Sequence, residues 1–214
     1  MIGPRIVVTG TDTDIGKTVF AAALTGALGA AYWKPVQAGR DEQGRGDADR
    51  VAELTGARID PAAILPAAYD LAMPASPHIA AEIDGIEIDP ARLAIPDVDG
   101  TLVIEGAGGV MVPITRRWLY ADQFARWQAP VVLVARTALG TINHSLLSIE
   151  ALRARGVTIL GAAFVGDPVQ DSEAIICEYG QVRRLGRLPL IDPLTPDALA
   201  RAFADNFDAQ DFLR

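Results

Sequence analysis

Continuous runs of apolar residues, rather than alternating ones, mark the strands that this sequence predicts. Such runs are typical of strands buried on both faces of a sheet. The runs cover residues 5–9, 30–34, 101–105, 130–135, 158–165 and 184–188. Helix-forming segments lie at 16–28, 47–55 and 143–155 and from Pro196 onward. Strands separated by helices imply right-handed crossovers, so the pattern predicts an α/β fold with a parallel sheet flanked by helices.

One long segment does not follow this pattern. Residues 61–96 contain many prolines and little periodicity, which predicts an irregular excursion rather than a linker between two domains. The sequence shows no internal repeat. With 214 residues, the chain is expected to form a single α/β domain over residues 1–214.

Composition and charge narrow the possible partners. Half of the residues are hydrophobic but only 6% are aromatic, so Ala, Val, Leu and Ile must fill the core. A formal net charge of −8 makes nucleic acid and membranes poor partners for the molecule as a whole. The one cysteine, Cys177, excludes an internal disulfide and a cysteine-based metal cluster.

The cellular location is predicted from two further features. Met1 leads almost directly into the first apolar strand, without the pattern of a signal peptide. No apolar stretch approaches the roughly 18 residues that would span a bilayer. The protein is therefore expected in the cytosol.

The loop after the first strand has the residues of a phosphate-binding loop. Residues 10–18 read G-T-D-T-D-I-G-K-T. Gly16 lets the backbone approach an anion, Lys17 supplies a charge for the β- and γ-phosphates, and the Thr18 hydroxyl suits magnesium. Gly10 lies six residues before Gly16 instead of the usual five. The position between strand and helix still favours phosphate binding over a simple helix start.

Two aspartates are unusual in a loop that binds an anion. Asp12 and Asp14 could be turn or capping residues. Alternatively, one of them faces a cationic group of a substrate, such as an amine.

Two more carboxylates are candidate ligands for magnesium, which prefers oxygen. Glu105 ends an apolar strand before a glycine run, where a buried carboxylate needs a cation. A salt bridge to a nearby Lys or Arg is the alternative. Asp47 opens a predicted helix and is either a metal ligand or only its N-cap.

A second lysine lies at the end of the second predicted strand. Lys34 stands in Y-W-K-P-V-Q-A-G, at the carboxyl edge of the sheet where ligands bind in such folds. It is either an exposed strand-end residue or a nucleotide contact. Two lysines beside a γ-phosphate would stabilise phosphoryl transfer to an anionic acceptor.

Together these motifs resemble those of the dethiobiotin synthetases, over residues 5 to about 190. The phosphate loop alone is shared with many ATPases, but four further blocks in this order are specific. They are K-P-V-Q-A-G at 34–39, P-A-S-P-H at 74–78, V-I-E-G-A-G-G-V at 103–110 and L-G-T-I-N-H at 139–144.

The resemblance implies an ATP-dependent cyclo-ligase. One amine of 7,8-diaminononanoate takes up carbon dioxide as a carbamate, ATP phosphorylates the carbamate, and the second amine closes the ureido ring. Lys17 and Lys34 match the catalytic lysines, and Thr18, Asp47 and Glu105 match the Mg²⁺ ligands.

The resemblance also implies the binding residues. Thr13, Asp14 and Lys34 match contacts to the diamine, and Asp14 replaces a commoner Glu. Gly140, Thr141, Ile142 and Asn143 match a loop that binds the substrate carboxylate from the neighbouring subunit of a homodimer. Nucleotide contacts are implied for Asp14, Ile15, Gly16, Lys17, Thr18, Val19, Asp47, Glu105, Gly106, Ala107, Gly108, Gly166 and Asp167.

This sequence departs from the family pattern at two places. Ala38 stands where a Ser or Thr usually touches the substrate. Gly166, followed by Asp167, stands where an Asn commonly contacts adenine, so ATP is expected to be less strictly preferred. His78 and His144 have no metal-ligand spacing and are interpreted either as structural or as supporting residues that contact the site's ligating side chains.

Two other functions fit a similar loop. A partitioning-type switch ATPase would carry a signature lysine four residues before Gly16, where this sequence has Asp12. The other alternative is a different amide-forming enzyme or small-molecule kinase. The blocks at 34–39 and 139–144 argue against it.

Overall fold

A computed structural model describes residues 2–213, with Ile2 described by its backbone only. Seven strands in this part of the chain form one parallel sheet, in the order β11-β10-β9-β1-β6-β2-β4. Two short pairs, β3 with β5 and β7 with β8, lie outside it. The strands are β1 (Ile2–Gly10), β2 (Ala31–Trp33), β3 (Val36–Ala38), β4 (Ile64–Leu65), β5 (Tyr69–Leu71), β6 (Gly100–Gly109), β7 (Pro113–Thr115), β8 (Trp118–Leu119), β9 (Val131–Arg136), β10 (Ile159–Val165) and β11 (Arg184–Leu188).

Helices cover both faces of the sheet. They are α1 (Lys17–Leu28), α2 (Asp47–Thr55), α3 (Pro77–Asp84), α4 (Tyr120–Trp127), α5 (Thr141–Arg153), α6 (Gln170–Gly180) and α7 (Pro196–Asn206). Four short 3-10 helices lie at Gly56–Arg58, Pro61–Ala63, Pro90–Leu93 and Ala209–Phe212. The predicted class, a parallel sheet flanked by helices, is confirmed.

Alternate residues of each strand pack into two separate cores. In β1, Ile6 and Val8 pack on the face covered by α1, α2 and α7, and Val7 packs on the opposite face. Both faces of the central strands are therefore apolar, which explains why the strands appear in the sequence as continuous hydrophobic runs.

The central pairing positions the site. β1 lies between β6 and β9, and Val8 pairs with Glu105 in register. β2 lies on the other side of β6, with Trp33 beside Ile104. Because these strands are parallel, the phosphate loop after β1, Lys34 after β2 and Glu105 in β6 meet at one edge of the sheet.

The prediction for residues 61–96 was wrong in part. This segment contains β4 at the edge of the main sheet, β5 paired with β3, and the helix α3. Strands of two or three residues show too little periodicity to be recognised. Helices α4 and α6 were not predicted, and β6 continues through the glycine run beyond Glu105.

Candidate active site

The phosphate loop brings a glycine and the start of α1 together at the end of β1. Gly16, the N-cap of α1, has φ of 90°, and a Cβ on it would lie 2.8 Å from Cγ1 of Val165. Both the left-handed backbone and the close approach require glycine. Gly16 has no side chain that could cap the helix, so the first N–H groups of α1 can serve an anion.

Among the described residues, no carboxylate is in hydrogen-bonding contact with Lys17, a buried cation at the first position of α1. It is 7% exposed, and its Nζ donates to the backbone carbonyl of Asp12. Burial lowers the pKa of Lys17 to about 8, although the Glu105 carboxylate acts in the opposite direction. Such an ammonium group is poised to gain an anionic partner.

Glu105, within β6, is the centre of a polar network beside the end of β2. It is fully buried. Its Oε1 accepts from the Thr18 hydroxyl at 2.8 Å and from Lys34 Nζ at 3.1 Å, and its Oε2 accepts from the Tyr32 hydroxyl at 2.8 Å. The salt bridge considered as the alternative for Glu105 is therefore present.

Lys34 joins this carboxylate to a second one. Its Nζ forms an ion pair with Asp47 as well as with Glu105, and the side chain is 6% exposed. Asp47 is the first residue of α2, and the N-cap is Gly46. The interpretation of Asp47 as only an N-cap was therefore wrong, since its carboxylate points to Lys34.

The charges in this network stabilise each other. Burial alone would lower the pKa of Lys34, but the carboxylates of Glu105 and Asp47 outweigh it and raise the pKa above its ordinary value. Burial opposes ionisation of Asp47, yet the charge of Lys34 and hydrogen bonds from Lys34 and Thr18 lower the pKa of this carboxyl. Lys34 and Asp47 are therefore both in their charged forms at neutral pH.

The donor set fits a magnesium ion. The Thr18 hydroxyl and the two carboxylates supply oxygen atoms around one point, which is the donor chemistry that Mg²⁺ prefers. Across the described chain, His, Cys, Asp and Glu side chains do not gather in groups of three or more that could hold a metal. A magnesium site here would therefore complete its ligand shell with phosphate and water oxygens.

A cavity of about 880 Å³ opens above this network. It is lined by Thr13, Asp14, Gly16, Lys17, Thr18, Val19, Lys34, Gln37, Ala38, Gly39, Arg40, Asp41, Arg45, Gly46, Asp47, Arg50, Pro74, Ala75, Ser76, Pro77, Glu105, Ala107, Gly108 and Val112. A smaller apolar cavity of about 390 Å³ lies among α1, α2 and α7, and neither lysine lines it. The larger cavity is the candidate active site because it contains the charged groups.

Two of the predicted loops do not line this cavity within one chain. Gly140 is the N-cap of α5, and Asn143 is exposed in its first turn. Gly166 follows β10 directly after Val165, whose side chain lies close to Gly16. Gly166 has φ of 128°, and a Cβ on it would lie 2.3 Å from the Thr137 hydroxyl. An asparagine could not take its place without local rearrangement.

Several groups around the cavity were not singled out from the sequence. Tyr32 contributes a buried hydroxyl to Glu105, and Gln37 contacts the start of α2. The K-P-V-Q-A-G block contained Gln37, but its contact partner could not be identified without the fold. His78 hydrogen-bonds to the Ser76 hydroxyl at 3.0 Å through Nδ1, and His144 is exposed.

Every helix between residues 2 and 213 is too short or too polar to cross a bilayer.

Comparison with known proteins gives consistent relatives over nearly the whole chain. A family model described as an AAA domain matches residues 4–198. The ATP-dependent dethiobiotin synthetase BioD of Rhodopseudomonas palustris (strain HaA2) is 61% identical over 209 residues, covering 98% of this chain and 96% of that protein. The protein of the same name from Novosphingobium aromaticivorans is 62% identical over 206 residues, covering 96% and 98%.

Solved structures with a similar fold are distant in sequence. A ParA family ATPase from Chlorobium tepidum has a TM-score of 0.53 at 11% identity, covering 99% of this chain and 96% of that one. The cell division ATPase MinD from Pyrococcus furiosus has a TM-score of 0.51 at 15% identity, covering 98% of each chain. At these identities the likeness establishes the fold alone.

Proposed function

The chain belongs to the family of ATP-dependent dethiobiotin synthetases, and from this premise we propose that it makes dethiobiotin from 7,8-diaminononanoate, carbon dioxide and ATP in biotin biosynthesis. The observation that carries the proposal is the convergence of Lys17, Lys34, Thr18, Asp47 and Glu105 on one cavity. These groups supply two positive charges and three oxygen donors next to a phosphate loop.

Lys17 and the loop bind the triphosphate in this proposal. The helix N–H groups after Gly16 and the Lys17 ammonium neutralise the β- and γ-phosphates. The base extends toward Gly166 and Asp167, which follow the strand beside Gly16. The remaining nucleotide contacts are Asp14, Ile15, Thr18, Val19, Asp47, Glu105, Gly106, Ala107 and Gly108.

Thr18, Asp47 and Glu105 would hold Mg²⁺. The ion would neutralise charge on the phosphates during transfer. Lys34 pairs with both carboxylates in this structure. If Asp47 and Glu105 held the ion, the Lys34 ammonium would be available to an anionic substrate group.

Lys34 then acts on the carbamate. One amine nitrogen of the diamine bonds to the carbon of CO₂ and loses a proton, giving an N-carboxylate. Lys34 and Lys17 orient this anion so that one of its oxygens attacks the γ-phosphorus and ADP leaves. The second amine attacks the carbonyl carbon of the resulting anhydride. The bond between this carbon and the phosphate oxygen breaks, and phosphate leaves with the electron pair. The attacking amine loses a proton, and the ureido ring is closed.

The diamine is proposed to lie along Thr13 and Asp14, where a carboxylate can face an ammonium group. Its own carboxylate is expected at Gly140, Thr141, Ile142 and Asn143 of a neighbouring subunit, because that loop opens a helix. This arrangement makes a homodimer the working assembly. A single domain and a cytosolic location remain predictions.

The switch-ATPase alternative is disfavoured by Asp12, which occupies the position of its signature lysine, and by relatives that are dethiobiotin synthetases at about 61% identity. It remains useful as a contrast in an experiment, because a switch ATPase hydrolyses ATP without the diamine.

The test supplies purified protein with 7,8-diaminononanoate, bicarbonate, Mg²⁺ and ATP, and measures dethiobiotin by mass spectrometry. We expect one ADP and one phosphate for each dethiobiotin formed. Omitting the diamine, or replacing Mg²⁺ with EDTA, should stop both product formation and ADP release. Rapid ADP release that is independent of the diamine would contradict the proposal.

A further inference from the structure

Gln37 is a buried amide whose two ends are both occupied. It lies in β3, three residues after Lys34, and is 8% exposed. Its Nε2 donates to the Gly39 carbonyl at 2.6 Å, and its Oε1 accepts from the backbone N–H of Asp47 at 3.0 Å. The two partners fix the orientation of the amide, because one must accept and the other must donate.

These bonds connect the two ends of a loop at the rim of the cavity. Residues 39–46 leave β3 at Gly39 and return at Gly46, the N-cap of α2. The Gly39 N–H donates to the Leu71 carbonyl of β5, so that end is attached to the β3–β5 pair. Gln37 attaches the other end, the start of α2, to the same pair.

The start of α2 has a particular need for this contact. An N-cap residue normally offers a side-chain oxygen to the first N–H groups of its helix, but Gly46 has no side chain. Gln37, from a different strand, supplies an oxygen to the N–H of Asp47, the first residue of the helix, while the Gly46 N–H donates to Asp49 Oδ2. A Cβ on Gly46 would lie 3.0 Å from Gln37 Oε1, so glycine at the cap makes room for the substitute.

We infer that Gln37 is a positioning residue for the metal site: it caps α2 from β3 and thereby holds the Asp47 carboxylate beside Thr18 and Lys34. The inference rests on the proposed role of Asp47 as a magnesium ligand. Side chains that orient a metal ligand commonly contribute about 10- to 100-fold to metal affinity. Loss of the contact should therefore weaken magnesium binding more than it weakens nucleotide binding without the metal.

The measured quantity is the gain in affinity that Mg²⁺ gives to a non-hydrolysable ATP analogue, AMP-PCP. Calorimetric titrations in Mg²⁺ and in EDTA supply the two dissociation constants, and their ratio is the magnesium gain. In Gln37→Met, which keeps the volume and loses both hydrogen bonds, we expect the gain to fall about tenfold. Affinity in EDTA should stay within about twofold of the wild type, since the phosphate loop is intact.

The chain contains a matched control. Gln123, in α4, is also buried, donates to the Leu93 carbonyl and accepts from Trp118 Nε1, and it does not line the cavity. Gln123→Met makes the same chemical change elsewhere and should leave the magnesium gain unchanged. Gln37→Ala replaces Gln37→Met if the latter does not fold.

Each further outcome has a defined meaning. An equal loss in Gln37→Met and Gln123→Met would indicate a general loss of stability and overturn the inference. A normal gain in Gln37→Met together with a lost gain in Asp47→Asn would also overturn it, while the proposed metal role of Asp47 stands. A normal gain in Asp47→Asn would instead remove Asp47 from the metal site, and the premise of the inference with it.

Discussion

Lys17 and Lys34 are the only lysines in the sequence, both line the same cavity, and their surroundings are opposite. Lys17, in the phosphate loop, donates to a backbone carbonyl and has a pKa lowered to about 8 by burial. Lys34, at the end of β2, is paired with two carboxylates that hold its pKa above the ordinary value despite burial. Within the described residues, Lys17 therefore has no carboxylate in direct contact, whereas Lys34 already has two.

The difference predicts that the two lysines depend on different ligands. A buried ammonium without a carboxylate partner favours binding of a phosphate, since the ligand supplies the missing charge. The charge of Lys34 is already neutralised by two carboxylates, so it stabilises a bound phosphate only when another cation binds those carboxylates. A divalent ion at Glu105 and Asp47 is the cation that the donor set suits. If the proposed magnesium site forms, metal binding and the availability of Lys34 are linked.

The largest expected effect comes from removing either charge. Lys17→Met and Lys34→Met should each lower the rate of dethiobiotin formation by about 100- to 1000-fold, because each removes charge that stabilises the transferring phosphoryl group. The variants should differ in binding. Lys17→Met weakens ATP binding, whereas Lys34→Met keeps it and needs less Mg²⁺ for half-saturation, since no ammonium competes for Glu105 and Asp47.

Rates are measured by mass spectrometry of the product and binding by titration calorimetry. Arg58→Met, which removes a cation outside the cavity, is the control and should retain wild-type turnover. Wild-type turnover in Lys34→Met would exclude this residue from the mechanism. A higher magnesium requirement in Lys34→Met would contradict competition between the ammonium and the metal.

The fold and the two lysines were predictable where a local pattern carried the information. β1 and β6 are long apolar runs, and Glu105 and Lys34 are conspicuous as charged residues at the ends of such runs. β4 has only two residues and is defined by its pairing with β2, so no local pattern could predict it. The contact of Gln37 with Asp47 depends on a loop closing in space, and the sequence does not encode that closure in any spacing.

The backbone at Gly166 was equally hidden from sequence. The family commonly has Asn at this position, and from the sequence the glycine suggested only that a contact to adenine is missing. The structure adds a positive φ and a close approach to Thr137, so the glycine is required by the local backbone of this chain. Whether a glycine is a loss or a requirement depends on dihedral angles and neighbours, which composition and order do not give.

A second expected effect is a pH dependence that belongs to Lys17. Above a pH of about 8, ligand-free Lys17 becomes increasingly neutral. ATP affinity should therefore fall by up to about tenfold per pH unit above that value, until the higher pKa of the phosphate-bound lysine is reached. Lys34→Met should retain this dependence at Lys17, and Lys17→Met should lose it. The same slope in Lys17→Met would assign the titration to another group.

Stability in magnesium-free buffer should change with pH in a direction set by the same shifts. Lys17 has a pKa of about 8 when folded and 10.5 as its reference value, so the unfolded chain binds more protons between these values. Its contribution to stability therefore increases as pH rises through this window. The charge of Lys34 stabilises the fold fully below 10.5, and that stabilisation is lost only at higher pH. NMR of protein labelled at lysine gives one signal for Lys17 and one for Lys34, so each titration is followed separately.

The smallest expected effect concerns Ala38, which lines the Lys34 side of the cavity from β3. A hydroxyl here would offer the diamine a hydrogen bond worth about 1 kcal/mol. We therefore expect Ala38→Thr to lower the KM for the diamine about two- to fivefold, with kcat and ATP affinity unchanged. Ala38→Val adds the same volume without the hydroxyl, and both side chains suit a strand. Steady-state kinetics with varied diamine give the comparison. An equal KM in the Thr and Val variants would show that the side chain at this position does not hydrogen-bond to the substrate.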